Sequence, residues 1–251
     1  MPKSATDKRH FIIAGALVAV ATVLMDISLK AALPLPLQAS LEALTIDALI
    51  GWHLTLIAFL FSLIVVFMLY SIVVFRKRRS DNSDGEHFEG NTTLEIVWTV
   101  IPLMVVVIFA FYGIHTLAEV TRSETNELVV KVNGFQWGWS FEYDGVLSPE
   151  MVIPVDRRVR LEMNTRDVIH SFWIPEMRVK QDLVPGQETE LRFTPIVTGE
   201  YKLACAELCG RSHWSMLATV RVVSASEFDQ WLAERQAEQS PALVQTAQDT
   251  E

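Results

Sequence analysis

Several common functional signatures are missing from the chain. No C-x-x-C-H occurs, which excludes covalently attached haem c. Neither G-x-G-x-x-G nor a P-loop is present, as befits a protein that does not handle nucleotides. Cysteine is scarce: Cys205 and Cys209 are the only two among 251 residues. Positive charge is outnumbered, with 21 Lys and Arg against 30 Asp and Glu, and no nucleic-acid partner is expected of a chain with formal net charge −9. Apolar residues are abundant. They make up half of the sequence, enough to bury one sizeable domain and still supply membrane spans.

Three apolar stretches lie in the first half. Lys3, Lys8 and Arg9 precede the first, a run of fifteen largely apolar residues over 11–25, which Asp26 and the pair Pro34 and Pro36 bring to an end. A span needs roughly 20 such residues, so the run suits the apolar core of an export signal as well as a tilted anchor. No clean A-x-A cleavage site follows. Residues 1–30 therefore read as either a signal peptide or an N-terminal anchor, and both place the following residues outside. Residues 49–75 are almost continuously apolar, with His53 near their start, and predict a transmembrane helix. Arg76-Lys-Arg-Arg79 follows at once, and four cations beside a span mark the cytoplasmic side. Residues 80–93 read as a polar inner loop, and 94–114 as a second span, with Trp98 and Tyr112 near its ends and Pro102 as an expected kink. The hairpin, 44–115, returns the chain to the outer face. Glu95 stands at its cytoplasmic end, where a carboxylate suits the positive N-terminus of a helix. An acid at such a depth is also a functional candidate.

Beyond the hairpin the period changes from helical to two. Val159, Leu161 and Met163 alternate with Arg158, Arg160, Glu162 and Asn164, and similar alternation recurs at Leu128/Val130/Val132, Leu191/Phe193, Tyr201/Leu203/Cys205 and Ala218/Val220/Val222. Breaks fall at Asp144-Gly145, Pro185-Gly186 and Thr198-Gly199. Short strands at this spacing predict an antiparallel all-β sandwich or barrel over 116–225. Trp137, Trp139, Phe141 and Tyr143 fall on one face of a strand, the pattern of a core stripe. Ser226-Glu-Phe-Asp229 reads as a helix start within a final segment, 226–251, whose last stretch from Ser240 reads as a disordered tail.

The densest chemistry lies in Cys205-Ala-Glu-Leu-Cys-Gly-Arg-Ser-His213-Trp-Ser-Met216, which gathers two thiols, an imidazole, a thioether and the carboxylate of Glu207 in twelve residues. His170, in Asp167-Val-Ile-His170-Ser-Phe-Trp-Ile-Pro175, supplies a further donor from what reads as a Pro-limited loop. Soft sulfur with borderline nitrogen suits copper or zinc and not calcium or magnesium. A disulfide between the cysteines suits an exported domain but leaves His213 and Met216 without a role. A structural zinc takes two thiolates and two imidazoles and leaves Met216 as core. A mononuclear blue copper takes one thiolate, two imidazoles and a weak axial thioether, leaving one cysteine spare. Two coppers sharing two bridging thiolates, each completed by one His and one weak axial donor, use the whole set.

The segment resembles the binuclear copper A motif of cytochrome c oxidase subunit II, C-x-E-x-C-G-x-x-H-x-x-M, at every position of that motif. The resemblance implies that Cys205 and Cys209 bridge the coppers. His170 and Met216 would complete one copper, and His213 with the backbone carbonyl of Glu207 the other. It implies that the Glu207 side chain shares a magnesium ion with subunit I, and that the β domain is a cupredoxin-like Greek-key barrel with the metal loop between its last two strands and His170 on an adjacent loop. Gly134-Phe-Gln-Trp137-Gly-Trp139-Ser-Phe141-Glu-Tyr143 is similar to the family's aromatic stretch, in which the residue matching Trp137 receives electrons from cytochrome c. The family commonly has Tyr next, where this chain has Gly138. Leu94-Glu95-Ile-Val-Trp98-Thr-Val-Ile-Pro102 resembles the family's second helix, whose matching Glu opens a proton pathway into subunit I.

The expected protein is thus subunit II of a bacterial haem-copper oxidase, multi-pass in the plasma membrane with its C-terminal domain outside. It would take electrons from cytochrome c or another small soluble donor and pass them to haem in subunit I, where oxygen is reduced and protons are pumped. The two spans hold no paired histidines for an oxygen-reduction site, so that chemistry belongs to the partner. From Glu119 onward 21 acids face 13 bases, a net of −8, which suits a cationic donor, yet the loop after Tyr143 offers only Asp144 and Glu150. A less basic cytochrome or a copper protein fits that loop better. The rivals are an electron-accepting subunit of a copper A nitric oxide reductase, a copper-free quinol oxidase subunit, which the intact donor set argues against, and a zinc-stabilised exported binding domain.

Overall fold

A computed structural model describes residues 5–77, 80, 87 and 89–248. Lys3, Arg78, Arg79, most of the inner loop and the last three residues of the expected tail lie outside the described residues. The chain divides into two units, Met1–Leu35 with Asp47–Ile114, and Pro36–Ile46 with His115–Glu251.

The first unit is helical. It holds α1 (Ala5–Ala32), most of α2 (Leu41–Val74) and most of α3 (Thr92–Val120). All three are long and apolar enough to cross a membrane. Asp26 was expected to end the first run, but α1 continues to Ala32 and stops just before Pro34. The polar residues that shorten the apolar run are absorbed locally. Thr22 and Ser28 hydroxyls donate to the carbonyls of Val18 and Leu24, and Lys30 Nζ reaches Asp26 Oδ2 at 2.7 Å. Contacts to α2 lie toward both ends of α1, where Thr55 Oγ1 donates to Asp26 Oδ1 at 2.9 Å and His10 Nδ1 lies 2.7 Å from the Tyr70 hydroxyl. Ala14 and Val18 on α1 and Ala58 and Ser62 on α2 are buried, small residues of the kind that let membrane helices approach closely. Asn91 caps α3 by accepting the Leu94 N–H, and no residue of α3 is buried within the chain.

The second unit is a sandwich of two five-stranded sheets. One runs in the order β3 (Val146–Ser148), β2 (Gly138–Tyr143), β1 (Leu128–Phe135), β5 (Val159–Thr165), β8 (Thr189–Phe193). The other runs β4 (Met151–Pro154), β10 (Leu217–Val223), β9 (Gly199–Cys205), β6 (His170–Ile174), β7 (Val179–Leu183). The alternating residues read from the sequence form the core: Val130, Leu161, Met163, Phe193 and Leu203 are fully buried, and Phe141, Phe172 and Ile153 join them. The sheets are not purely antiparallel as expected, because β1 pairs with β5 and β4 with β10 in parallel. After the β1–β2–β3 meander the chain leaves for the second sheet as β4 and returns beside β1 as β5, so both crossing strands run alongside earlier or later ones in the same sense. The strand order β3-β2-β1-β5, with the returning strand beside the first of the meander, is that of a Greek key, but the closing pair is parallel.

A buried charge cluster ties the start of α2 into the sandwich. Glu42 accepts from Arg158 Nη1 at 2.8 Å and from the Thr194 N–H at 2.8 Å, while Ser40 caps the helix at the Ala43 N–H and donates to the Met177 carbonyl. Arg158 also donates to the Val120 carbonyl at the end of α3, and Glu127 binds Arg192 Nε at 3.1 Å. This explains why α2 begins eight residues before its apolar run: its first turn is held by polar groups of the outer domain.

The last helix, α4 (Ala225–Gln248), is capped by the Ser224 hydroxyl, which accepts the Glu227 N–H. It lays Phe228 and Trp231 on Tyr143, with ring centroids 6.2 and 5.1 Å away. Gln239 completes the edge strand β3: its amide accepts the Leu147 N–H at 3.0 Å and donates to the Leu147 carbonyl at 2.7 Å. The helix runs to Gln248 through the stretch read as a tail, which is rich in the helix formers Ala, Leu and Gln.

Arg158→Leu should leave Glu42 as a buried carboxylate without its cation, while Glu127 keeps Arg192, and destabilise the outer domain by about 3–5 kcal/mol. Thermal unfolding of the full chain in detergent, followed by near-ultraviolet dichroism, should show a clearly lowered transition for this variant and a smaller loss for Arg158→Lys.

Candidate metal centre

The loop between β9 and β10 is closed at its mouth by the Cys205 N–H, which donates to the Met216 carbonyl at 3.1 Å. The Ala206 N–H pins it to β6 through the Ser171 carbonyl at 2.9 Å. Gly210 turns the loop at φ +126°, a conformation that side chains rarely adopt. A short 3-10 turn, His213–Ser215, then brings the chain back, with the Met216 N–H on the His213 carbonyl at 3.2 Å. His170 enters from the neighbouring strand. It was expected on a loop, but it opens β6 and pairs with Leu183, because the Asp167 carboxylate takes the turn before it by accepting the Val168 N–H at 2.7 Å.

These supports gather the sequence-derived donors. Cys205 and Cys209 are free, buried, and 3.8 Å apart at their sulfurs. His170 Nδ1 is 4.0 Å from Cys205 Sγ, His213 Nδ1 is 3.6 Å from Cys209 Sγ, and Met216 Sδ is 3.7 Å from Cys209 Sγ. The backbone carbonyl of Glu207 lies 3.2 Å from Cys205 Sγ. Donor atoms of His170, Cys205 and Cys209 all fall within 4.8 Å of one another, close enough to hold a metal ion. His170 and Met216 have no exposed surface. The set fits soft metal chemistry: two thiols, each with an imidazole nitrogen of its own, plus a thioether and a carbonyl as weaker donors.

The electrostatics favour ordered ligands. Burial, then the neighbouring Cys205 thiol, pushes the Cys209 thiol up to about 11. Asp167 is pulled the other way. Burial works against its charge, but hydrogen bonds from His170, the Val168 N–H, the Thr165 hydroxyl and the Gln136 N–H outweigh it and hold the carboxyl well below the usual range. An ionised carboxylate only accepts, so at 2.9 Å from Asp167 Oδ1 the His170 Nε2 carries the hydrogen and Nδ1 keeps its lone pair toward the sulfur. Asp167 was quoted in the motif without a role. The signal for it was a carboxylate three residues before the His.

Trp137 stands apart from the core stripe whose spacing it shares. Trp139, Phe141 and Tyr143 are buried along β2, but Trp137 sits in the two-residue turn before that strand and is 40% exposed. Its ring lies over the metal loop: a Cβ placed on Gly210 would stand 3.1 Å from Trp137 Cζ2. Gln136, which the sequence did not single out, donates from Nε2 to the Cys209 carbonyl at 2.7 Å. Gly138 leaves room for the Phe135 ring, which a Cβ there would meet at 2.9 Å. Glu95 belongs to the helical unit, exposed in the first turn of α3.

Comparison with known proteins agrees with the motif. Residues 146–223 match the family described as cytochrome C oxidase subunit II, periplasmic domain, and residues 28–116 match its transmembrane domain. The cytochrome c oxidase subunit 2 of Synechocystis sp. is 32% identical over 248 residues, spanning 79% of this chain and 75% of that one. That of Cereibacter sphaeroides is 31% identical over 236 residues, spanning 78% and 77%. The crystal structure of the periplasmic domain of subunit II of cytochrome oxidase from Bradyrhizobium japonicum is 31% identical, with a TM-score of 0.44, and covers 47% of this chain and 99% of its own. The matches favour neither a nitric oxide reductase subunit nor a zinc-binding domain. With a matched transmembrane part, a matched periplasmic part and relatives covered over three quarters of their length, the chain belongs to the cytochrome c oxidase subunit II family, the membrane-anchored partner of subunit I in a haem-copper oxidase, with its C-terminal domain outside.

Proposed function

We propose that Cys205, Cys209, His170, His213, Met216 and the Glu207 carbonyl hold a binuclear copper A centre, and that this centre takes electrons from cytochrome c or a similar small soluble donor for haem in subunit I. The observation that carries this reading is the pair of buried free thiols 3.8 Å apart, each with its own imidazole nitrogen at 4.0 or 3.6 Å. When bound, the copper pair supplies a one-electron store whose charge is spread over two metals and two sulfurs.

The protein's own groups prepare the site. Cys205 ends β9 with its N–H on the Met216 carbonyl, and Cys209 is held through its own carbonyl by the Gln136 amide, so the backbone that carries each sulfur is anchored. Binding of a metal would release the Cys209 thiol proton, which burial favours. Asp167 fixes the orientation of His170, and Met216, fully buried, closes the inner side to water. A donor set that does not move between oxidation states keeps the reorganisation opposing electron transfer small. Trp137, exposed on one side and lying against Gly210 on the other, is the surface point where the electron is received.

The remaining assignments follow the same reading. The half-buried Glu207 side chain shares a magnesium ion with subunit I. Glu95, in the exposed first turn of α3, opens the proton path into that subunit. Leu208 and Trp214, 78% and 81% exposed on the metal loop, supply apolar contact to a partner. The exposed apolar faces of α2 and α3 meet lipid and subunit I, and α1, hydrogen-bonded to α2 at two levels, serves as a third anchoring span over Lys8–Ala32.

Copper loading of the full chain in detergent should yield two coppers per chain sharing one unpaired electron, read by metal analysis and spin resonance. Cys209→Ser should abolish that shared signal. One zinc, or a single localised copper, would sink the binuclear assignment. In the assembled oxidase, Glu95→Gln should slow proton uptake by about 100-fold, the lower end of what a positioned proton-transfer group contributes. Stopped-flow with a pH indicator would show this, while the copper signal stays as in the parent protein.

A further inference from the structure

We infer that Gln136 is a positioning residue for electron uptake: its side chain fastens the turn that carries Trp137 to the metal loop and so sets the contact between the Trp137 indole and Gly210. The inference rests on Trp137 receiving the electron.

Three observations converge on this residue. Gln136 Nε2 donates to the Cys209 carbonyl at 2.7 Å, so the residue before Trp137 is bonded directly to a residue that carries one of the two sulfurs. The Gln136 backbone N–H donates to Asp167 Oδ2 at 2.7 Å, and the other oxygen of the same carboxylate lies 2.9 Å from His170 Nε2. Gly210 leaves the space that both side chains occupy, since a Cβ there would stand 3.0 Å from Gln136 Nε2, 3.1 Å from Trp137 Cζ2 and 3.3 Å from Trp137 Nε1. The turn is thus tied at one point to the loop that follows Cys205 and at another to the residue that orients His170.

Those ties matter because the hairpin anchors the turn only at its two ends and leaves the direction of its side chains unset. Gln136 and Trp137 are both exposed, and they lie between the paired ends Phe135 and Gly138 of the β1–β2 hairpin. Electron tunnelling falls exponentially with every gap that is crossed through space, so a turn that swings away from Gly210 loses its electronic contact with the site even if each metal-binding residue stays in place. A hydrogen bond from Gln136 to the Cys209 carbonyl prevents that swing. It does so without occupying the solvent face of the indole that a donor must reach. The sequence places a neutral side chain there, and a neutral amide can meet the carbonyl without bringing a charge next to the site.

The test uses the copper-loaded full chain in detergent with ferrocytochrome c as the donor, comparing Gln136→Leu, Trp137→Leu and the double variant by stopped-flow reduction of the copper absorption. Gln136→Leu keeps the side chain uncharged and removes the hydrogen-bond donor. The expected result is a fall of about ten- to a hundredfold in the rate at saturating donor, the scale of a misplacement of about 1 Å. Absorption, spin-resonance signal and reduction potential should stay unchanged. The double variant should be no slower than Trp137→Leu alone, because both changes break one contact. A slow Trp137→Leu beside a normal Gln136→Leu would overturn the inference and leave the uptake role of Trp137 standing. Normal rates in both would overturn that role and the inference together. An altered signal or potential in Gln136→Leu would show the residue acting on the metal through Cys209 and would also overturn the proposal. Should the leucine variant take up no copper, Gln136→Met, of similar length and neutral but without the donor, carries the same test.

Discussion

Two buried thiols held 3.8 Å apart on one loop, unjoined, set the terms for everything around them. Sulfurs at that distance need a scaffold that fixes their spacing and keeps out solvent. The sandwich provides it from strand ends, which are the least mobile places a loop can start from. β9 delivers Cys205, β10 receives Met216, and a backbone hydrogen bond between those two residues closes the loop where it leaves the sheet. A third strand, β6, brings His170 in from the side with its ring already oriented by Asp167. The rest of the outer domain can be understood as the mass of apolar packing that keeps these three strand ends in register.

Much of this was legible in the sequence because it depends on local spacing. The four-residue interval between the cysteines, the four more to His213 and the three to Met216 fit inside a single loop, so residue order alone nearly fixes which donors meet. The alternating runs at Leu128/Val130/Val132 and Val159/Leu161/Met163 likewise name their buried faces correctly, since a period of two leaves only one way to face a core.

What escaped the sequence depends on partners far away along the chain. Parallel pairing of β1 with β5 comes from a strand exchanged between sheets, and no local pattern encodes it. Trp137 shares its spacing with Trp139 and Phe141, so periodicity alone reads it as core; only the family resemblance pointed to the surface, and the hairpin turn that exposes it is not encoded in the spacing. Gln136 is an ordinary polar residue whose meaning rests on a carbonyl 73 positions later. The length of α1 was underestimated for a different reason. A count of apolar residues stops at Asp26, whereas a helix continues wherever its polar side chains find partners on their own turn or on a neighbour.

The amide of Gln239 behaves toward β3 as a further strand would, offering one acceptor and one donor to the same peptide unit. An outer edge strand is normally the place where two copies of a β-protein can zip together through their backbones. Here the exposed peptide group of Leu147 is already satisfied by a residue of the appended helix. α4 therefore covers this part of the sheet's rim and leaves the Leu147 peptide group unavailable for pairing with a second copy.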